Sequence, residues 1–194
     1  TTGNGILPNL MPSSHTTLDA LSLQQHLYDY AQQGAQFACL EASSHGLDQG
    51  RLAGTPIEVA IFSHLSRDHL DYHGTLEAYA EAKALLFKFT TLKVVVINID
   101  DAHANVMLAA AKENPSKPKV LTYSLTQTSA DYYIDHLQYR LSGASFTLIS
   151  FLSYSQNKEA EPNEVNITKK YSVKDYPDGF YYTLDDFINK NRKP

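Results

Sequence analysis

Apolar residues recur at helical spacing over 18–34, where Leu23, Leu27, Tyr30 and Ala31 share one face. Thr16 with Asp19 three residues later predicts a capping box at the start of this helix, and Gly34 predicts its stop. Three other stretches are apolar without that period: 36–41 (QFACLE), 56–62 (PIEVAIF) and 92–98 (LKVVVIN). Their length and Val/Ile content predict strands buried on both faces. Helical patterns follow at 75–88 and 101–113, and a fourth strand fits 119–123. Strand alternating with helix predicts an α/β fold, a mostly parallel sheet flanked by helices. Residues 131–139 and 144–152 then flank Ser142-Gly143, which predicts a small antiparallel hairpin annex. From Ser153 the chain turns polar and Pro-containing, as in a linker, and an aromatic-containing tail follows. The expected organisation is one domain over 1–152 and a linker with a tail over 153–194.

Composition narrows the classes. Of 194 residues, 43% are hydrophobic and 19% charged, which is globular rather than disordered. The formal net charge of −5 argues against a nucleic-acid partner held by basic charge. Over 151–194 the seven Lys/Arg and seven Asp/Glu cancel, so the whole excess lies in 1–150. The single cysteine, Cys39, excludes an intramolecular disulfide, suits a reducing compartment and, within an apolar strand, reads as core. No apolar run approaches the roughly 18–20 residues of a membrane helix, so no membrane insertion is expected. The chain opens on Thr1 in a Gly-containing turn, which reads as a piece of something longer.

In open parallel sheets ligands bind beyond the carboxyl ends of the strands. Here those ends are polar. Glu41-Ala42-Ser43-Ser44-His45-Gly46 follows the first, Ser63 to Gly74 the second, and Asn98-Ile99-Asp100-Asp101 the third. Asp68, His69, Asp71 and His73 form the densest group. They read either as oxygen-rich ligands with an imidazole, suited to Mg²⁺ or Mn²⁺, or as caps of the helix beginning near Thr75. Ser43-Ser44-His45 lacks the Gly-x-Ser-x-Gly elbow of hydrolases, which leaves substrate hydrogen bonding or turn formation. Lys83 falls on the apolar stripe of Leu76, Tyr79, Ala80, Leu86 and Phe87. A buried amine has a lowered pKa and can take up carbon dioxide as a carbamate, a metal-binding carboxylate. The alternative, commoner on periodicity alone, is a lysine whose stem is covered and whose head reaches water. Arg51 beside Gln49 suits phosphate or carboxylate recognition, or is an ordinary surface arginine. His15, Thr16 and Thr17 stand at a helix start, as an anion contact or as plain caps.

Together these stretches resemble the Mur ligase family. The likeness is carried by TTGNG at 1–5, TT at 16–17, EASSHGLDQGRL at 41–52, FSHLSRDHLDYHGTLEAYAEAKALLF at 62–87 and INIDD at 97–101, and covers about 1–150. It is closest to the branch that adds the third residue of the peptidoglycan stem peptide. The resemblance implies an incomplete central ATPase-type domain of a cytoplasmic, monomeric enzyme. ATP would phosphorylate the D-glutamyl carboxylate of UDP-N-acetylmuramoyl-L-alanyl-D-glutamate, and diaminopimelate or lysine would displace the phosphate. It implies Glu41 and His69 as Mg²⁺ ligands and Lys83 as the carbamylated lysine for a second Mg²⁺. It further implies His15, Thr16, Thr17, Ser43, Gln49 and Arg51 as contacts to the nucleotide-sugar dipeptide, and Asn98 and Asp101 near the nucleotide. His15 departs from the Asn of relatives, the phosphate loop G-T-x-G-K-T precedes the point where this chain begins, and 153–194 does not resemble the family. The chain is therefore expected to be inactive alone. A non-catalytic remnant binding a nucleotide sugar or protein, and a folylpolyglutamate synthetase-like ligase, are the rival readings.

Overall fold

A computed structural model of the chain describes residues 3–140, 143–150 and 167–170. The chain divides into two compact units, Thr1–Ala130 and Asp131–Pro194. The first opens with a short antiparallel pair, β1 (Asn4–Ile6) and β2 (Asn9–Met11), which the sequence pattern did not announce. Helix α1 runs over Ala20–Gln32. Its N-cap is Asp19, whose carboxylate accepts from Ser22 N at 3.0 Å, so the expected Thr16 cap is corrected.

Residues 36–41 form no strand, which corrects the first expected strand. A strand exists by ladder pairing, and no described strand pairs with this run. Its residues are exposed, Phe37 to 68%, and Cys39 is an exposed free thiol rather than core. The chain then makes two short helices inside stretches expected to be loops, α2 (Ser44–Asp48) and α3 (Leu70–His73).

Between and after them stand β3 (Val59–Phe62), α4 (Leu76–Ala84) with a 3₁₀ turn at Leu85–Lys88, β4 (Val94–Asn98), α5 (Ala104–Glu113) and β5 (Lys119–Ser124). Strand β4 pairs in parallel with β3 on one side and with β5 on the other. Ala60 and Phe62 of β3 and Val95 and Ile97 of β4 face a core completed by Ala80, Ala84 and Phe87, and by Ala104, Met107, Ala110 and Ala111 of α5. The alanines let α4 and α5 approach the sheet closely. The opposite face of β3 is open, with Ile61 62% exposed. These strands therefore alternate rather than being buried on both faces, as the apolar runs had suggested. Leu23, Leu47 and Leu52 form a second cluster, and Leu86 and Phe89 pack against both. Buried Asn114, past the end of α5, donates from Nδ2 to Phe87 O and Phe89 O, each at 2.9 Å, and so ties α5 to the 3₁₀ turn.

In the second unit β6 (Tyr132–Arg140) and β7 (Gly143–Ser150) are antiparallel, with a register shift between Asp135 and Gln138. This is the expected hairpin. A further strand, β8 (Ile167–Lys170), pairs antiparallel with β7 and lies in the stretch expected to be linker and tail. The remainder of 153–194 lies outside the described residues.

Candidate functional site

The site is assembled from the turn before α1, from α2, and from α3 and α4, which follow β3. Thr17 is 4% exposed and holds one edge together. Its hydroxyl donates to Glu41 O at 2.6 Å and accepts from Ser43 N at 2.9 Å. Ser43 caps α2 by accepting from Gly46 N at 3.1 Å. Gly46 lies flush against Thr17: a Cβ there would stand 2.7 Å from Thr17 Cγ2. Arg51 Nη1 donates to Thr17 O at 2.8 Å, and its Nε and Nη2 grip Gln49 Oε1 at 3.0 and 2.7 Å. Gln49 Nε2 in turn donates to Tyr72 Oη at 3.3 Å, and Tyr72 Oη donates to Asp48 Oδ2 at 2.7 Å. Thr17, Ser43, Gln49 and Arg51, four of the expected substrate contacts, thus form one connected edge. His15 and Thr16 are exposed, and His15 Nδ1 lies 2.9 Å from Ser14 Oγ.

Rings gather beside this edge. His69 sits just ahead of α3 in a left-handed conformation (φ 58°, ψ 22°), uncommon for a residue with a Cβ. Such backbone persists only where its surroundings over-determine it, as at binding sites. His45 packs edge-on to His69 (centroids 4.9 Å apart), against Tyr72 (4.1 Å) and edge-on to His73 (5.5 Å). His73 Nε2 lies 2.9 Å from Oγ of Ser44, which is 1% exposed. Burial, and then the neighbouring His45, hold the His73 imidazole below its usual 6.5. Gly74, at φ 78°, turns the chain into α4, which Thr75 caps by accepting from Ala78 N at 3.1 Å.

The expected metal anchors divide. His69 and Lys83 meet on one side chain, Tyr79. His69 is edge-on to its ring at 5.8 Å and Lys83 Nζ lies 5.3 Å from its centroid. Lys83 is half-buried, and burial pushes its ammonium below the usual 10.5, so it is neither a freely solvated head nor wholly enclosed. Glu41 is exposed, two residues before the Ser43 cap, and its backbone carbonyl binds Thr17. Among the described residues no three His, Cys, Asp or Glu side chains are arranged to hold a metal ion.

The expected nucleotide-side residues are engaged in pinning loops. Asn98 Nδ2 donates to Ser63 O at 2.7 Å. Asp101 accepts from Leu65 N at 2.7 Å and His103 N at 2.8 Å. Asp100, which the sequence reading left without a role, accepts from Ser124 Oγ, Leu125 N and Thr126 Oγ1 at 2.5, 2.6 and 2.7 Å. Its small burial acts upward, yet these bonds bring its carboxyl down to about 2. In the sequence Tyr79 reads only as a member of the apolar stripe. Its position four residues before Lys83 was the available signal that the two side chains meet.

A parallel α/β layer, with imidazole, amide and guanidinium groups gathered on the loops and short helices beside it, defines an α/β domain with a polar candidate site. The family model for the Mur ligase middle domain matches residues 1–174, running past the expected boundary at 152. The chain belongs to the Mur ligase family. A UDP-N-acetylmuramoyl-L-alanyl-D-glutamate–2,6-diaminopimelate ligase of Chromobacterium violaceum is 47% identical over 127 residues, 66% of this chain and 25% of that protein. The enzyme of the same name from Ectopseudomonas mendocina is 36% identical over 188 residues, 97% of this chain and 38% of that protein. A solved structure of a ligase of that name superposes with a TM-score of 0.73 at 70% identity, over 77% of this chain and 30% of its own. The chain thus spans between a quarter and two-fifths of the length of these curated relatives.

Proposed function

We propose that this chain is the greater part of the central domain of an ATP-dependent ligase of peptidoglycan precursor synthesis, working in the cytoplasm as a monomer. The enzyme joins diaminopimelate or lysine to UDP-N-acetylmuramoyl-L-alanyl-D-glutamate, with ATP and Mg²⁺. The observation that carries this reading is the meeting of His69 and Lys83 on Tyr79, beside the edge built from Thr17, Ser43, Gln49 and Arg51.

The chemistry of the expected donors would suit a hard cation under one condition. One imidazole and one carboxylate are few oxygen donors for Mg²⁺, which prefers oxygen ligands. Lys83 fills the gap. Its lowered pKa makes the neutral amine more available, and the amine nitrogen attacks carbon dioxide. A C–N bond forms, one proton leaves to water, and a carbamate oxygen pair results. Glu41 and His69 would hold one Mg²⁺ and the Lys83 carbamate would support a second, and these ions would supply charge neutralisation for phosphoryl transfer. The protein's own part is orientation. Arg51, braced on Thr17 O and Gln49, presents its guanidinium edge for anionic groups of the nucleotide sugar. The hydrogen-bonded row of Gln49, Tyr72 and Asp48 keeps that edge in place.

Titration calorimetry of the chain with UDP-N-acetylmuramoyl-L-alanyl-D-glutamate tests the reading. Binding should be seen with the dipeptide-bearing nucleotide and fall about tenfold in Arg51→Lys, where a planar fork becomes a point charge. A folded chain that gives no heat with this ligand would refute the assignment.

A further inference from the structure

The shared neighbour of His69 and Lys83 has a use beyond filling the core. Tyr79 is 4% exposed, on the first turns of α4, directly after the Thr75 cap. Its ring has three polar partners. His73 lies almost parallel to it (18°, centroids 5.2 Å), His69 meets it edge-on (84°, 5.8 Å), and Lys83 Nζ stands over it. His73 is itself fixed through Ser44. A row therefore runs from buried Ser44 through the His73 ring to Tyr79, and ends on two groups from different elements.

From this geometry we infer that Tyr79 is a positioning residue, its ring setting the relative placement of the His69 imidazole and the Lys83 amine. The inference rests on the reading of those two groups as metal anchors. An aliphatic side chain of similar bulk would fill the same space. It would offer no π face for an amine and no ring quadrupole to orient an imidazole edge. The phenol oxygen is not required, so the ring is the functional part. Supporting groups behind metal ligands commonly tune affinity by 10–100-fold.

The experiment uses the whole chain in bicarbonate buffer, with Mn²⁺ as the probe and electron paramagnetic resonance reading the free ion. Tyr79→Leu should weaken Mn²⁺ binding about tenfold, while Tyr79→Phe stays within about twofold of the wild type. His73→Gln, which keeps a partner for Ser44 but removes the stacked ring, should fall between them. A second readout is the proton spectrum in carbon-dioxide-free buffer. The Lys83 ε-methylene protons should carry a ring-current shift in the wild type and in Tyr79→Phe, and lose it in Tyr79→Leu. A folded Tyr79→Leu that binds Mn²⁺ as tightly as the wild type overturns the role of Tyr79 alone. A wild type that binds no better than His69→Ala overturns the metal reading beneath it. If Tyr79→Leu does not fold, the wild-type spectrum decides: unshifted Lys83 ε-methylene protons overturn the inference.

Discussion

At Lys83 two forces act on one ammonium in opposite directions. Partial burial disfavours the charge, and the Tyr79 ring face favours it. Burial wins, since the folded pKa lies below 10.5. An amine with a lowered folded pKa penalises folding fully below that pKa, and the penalty fades as pH rises toward 10.5. Lys83→Met should therefore melt at a higher temperature than the wild type at pH 7. The gain should shrink in melts taken at rising pH, and an unchanged or lower midpoint at pH 7 would contradict it. Thr17 gives the opposite case. Replacing its hydroxyl in Thr17→Val removes the acceptor of Ser43 N and the donor to Glu41 O at a part-buried junction. The expected loss is about 2 kcal/mol in urea denaturation, within the range for unsatisfied polar groups. A loss below about 0.5 kcal/mol would show that water replaces the hydroxyl freely.

Among the elements, the sequence pattern located β3, β4, β5, α4, α5 and the hairpin to within a few residues. Each carries a run of the right period bounded by a cap or turn residue, and the cap of α4 is Thr75 itself rather than the Asp and His residues before it. It failed at 36–41 because a run of apolar residues states a preference for burial and says nothing of a partner strand. It passed over α2 and α3 because five and four residues are too few to show a period. The clasp of Asp100 on the loop after β5 was equally silent, for it pairs residues 24–26 apart. Asp100→Asn should cost about 1 kcal/mol, discounted for the solvent screening of this exposed carboxylate. A carboxyl with a depressed folded pKa stabilises above its unfolded value of 3.8 and loses that contribution as pH falls toward about 2. The difference between wild type and Asp100→Asn should accordingly be present at pH 6 and vanish near pH 2. A gap that persists undiminished in acid would assign it to shape rather than charge.

Across the whole molecule, the candidate residues can be named from the sequence, whereas the contacts among them cannot. The strand-end rule pointed to His69, and to Ser43 by way of a strand that does not form; a polar turn pointed to Gln49 and Arg51, and helical phase to Lys83. What joins them, the Thr17 hydroxyl, the Tyr72 bridge and the Tyr79 ring, depends on three dimensions. The same unevenness should appear in hydrogen exchange of the first unit. Val95 and Ile97 of β4 are fully buried between paired neighbours, so amides of 94–98 should exchange slowest. Those of 36–40 should exchange fastest, and protection there comparable to β4 would contradict the unpaired run described above.

That run carries the chain's single sulfhydryl in the open. Cys39 stands two residues from Glu41 and four from the cap of α2, outside every packed layer. A maleimide dye or spin label could be attached there without mutagenesis and without prising apart the interior. The protein thus comes with its own vantage point for watching ligands arrive, recorded as a change in emission or line shape.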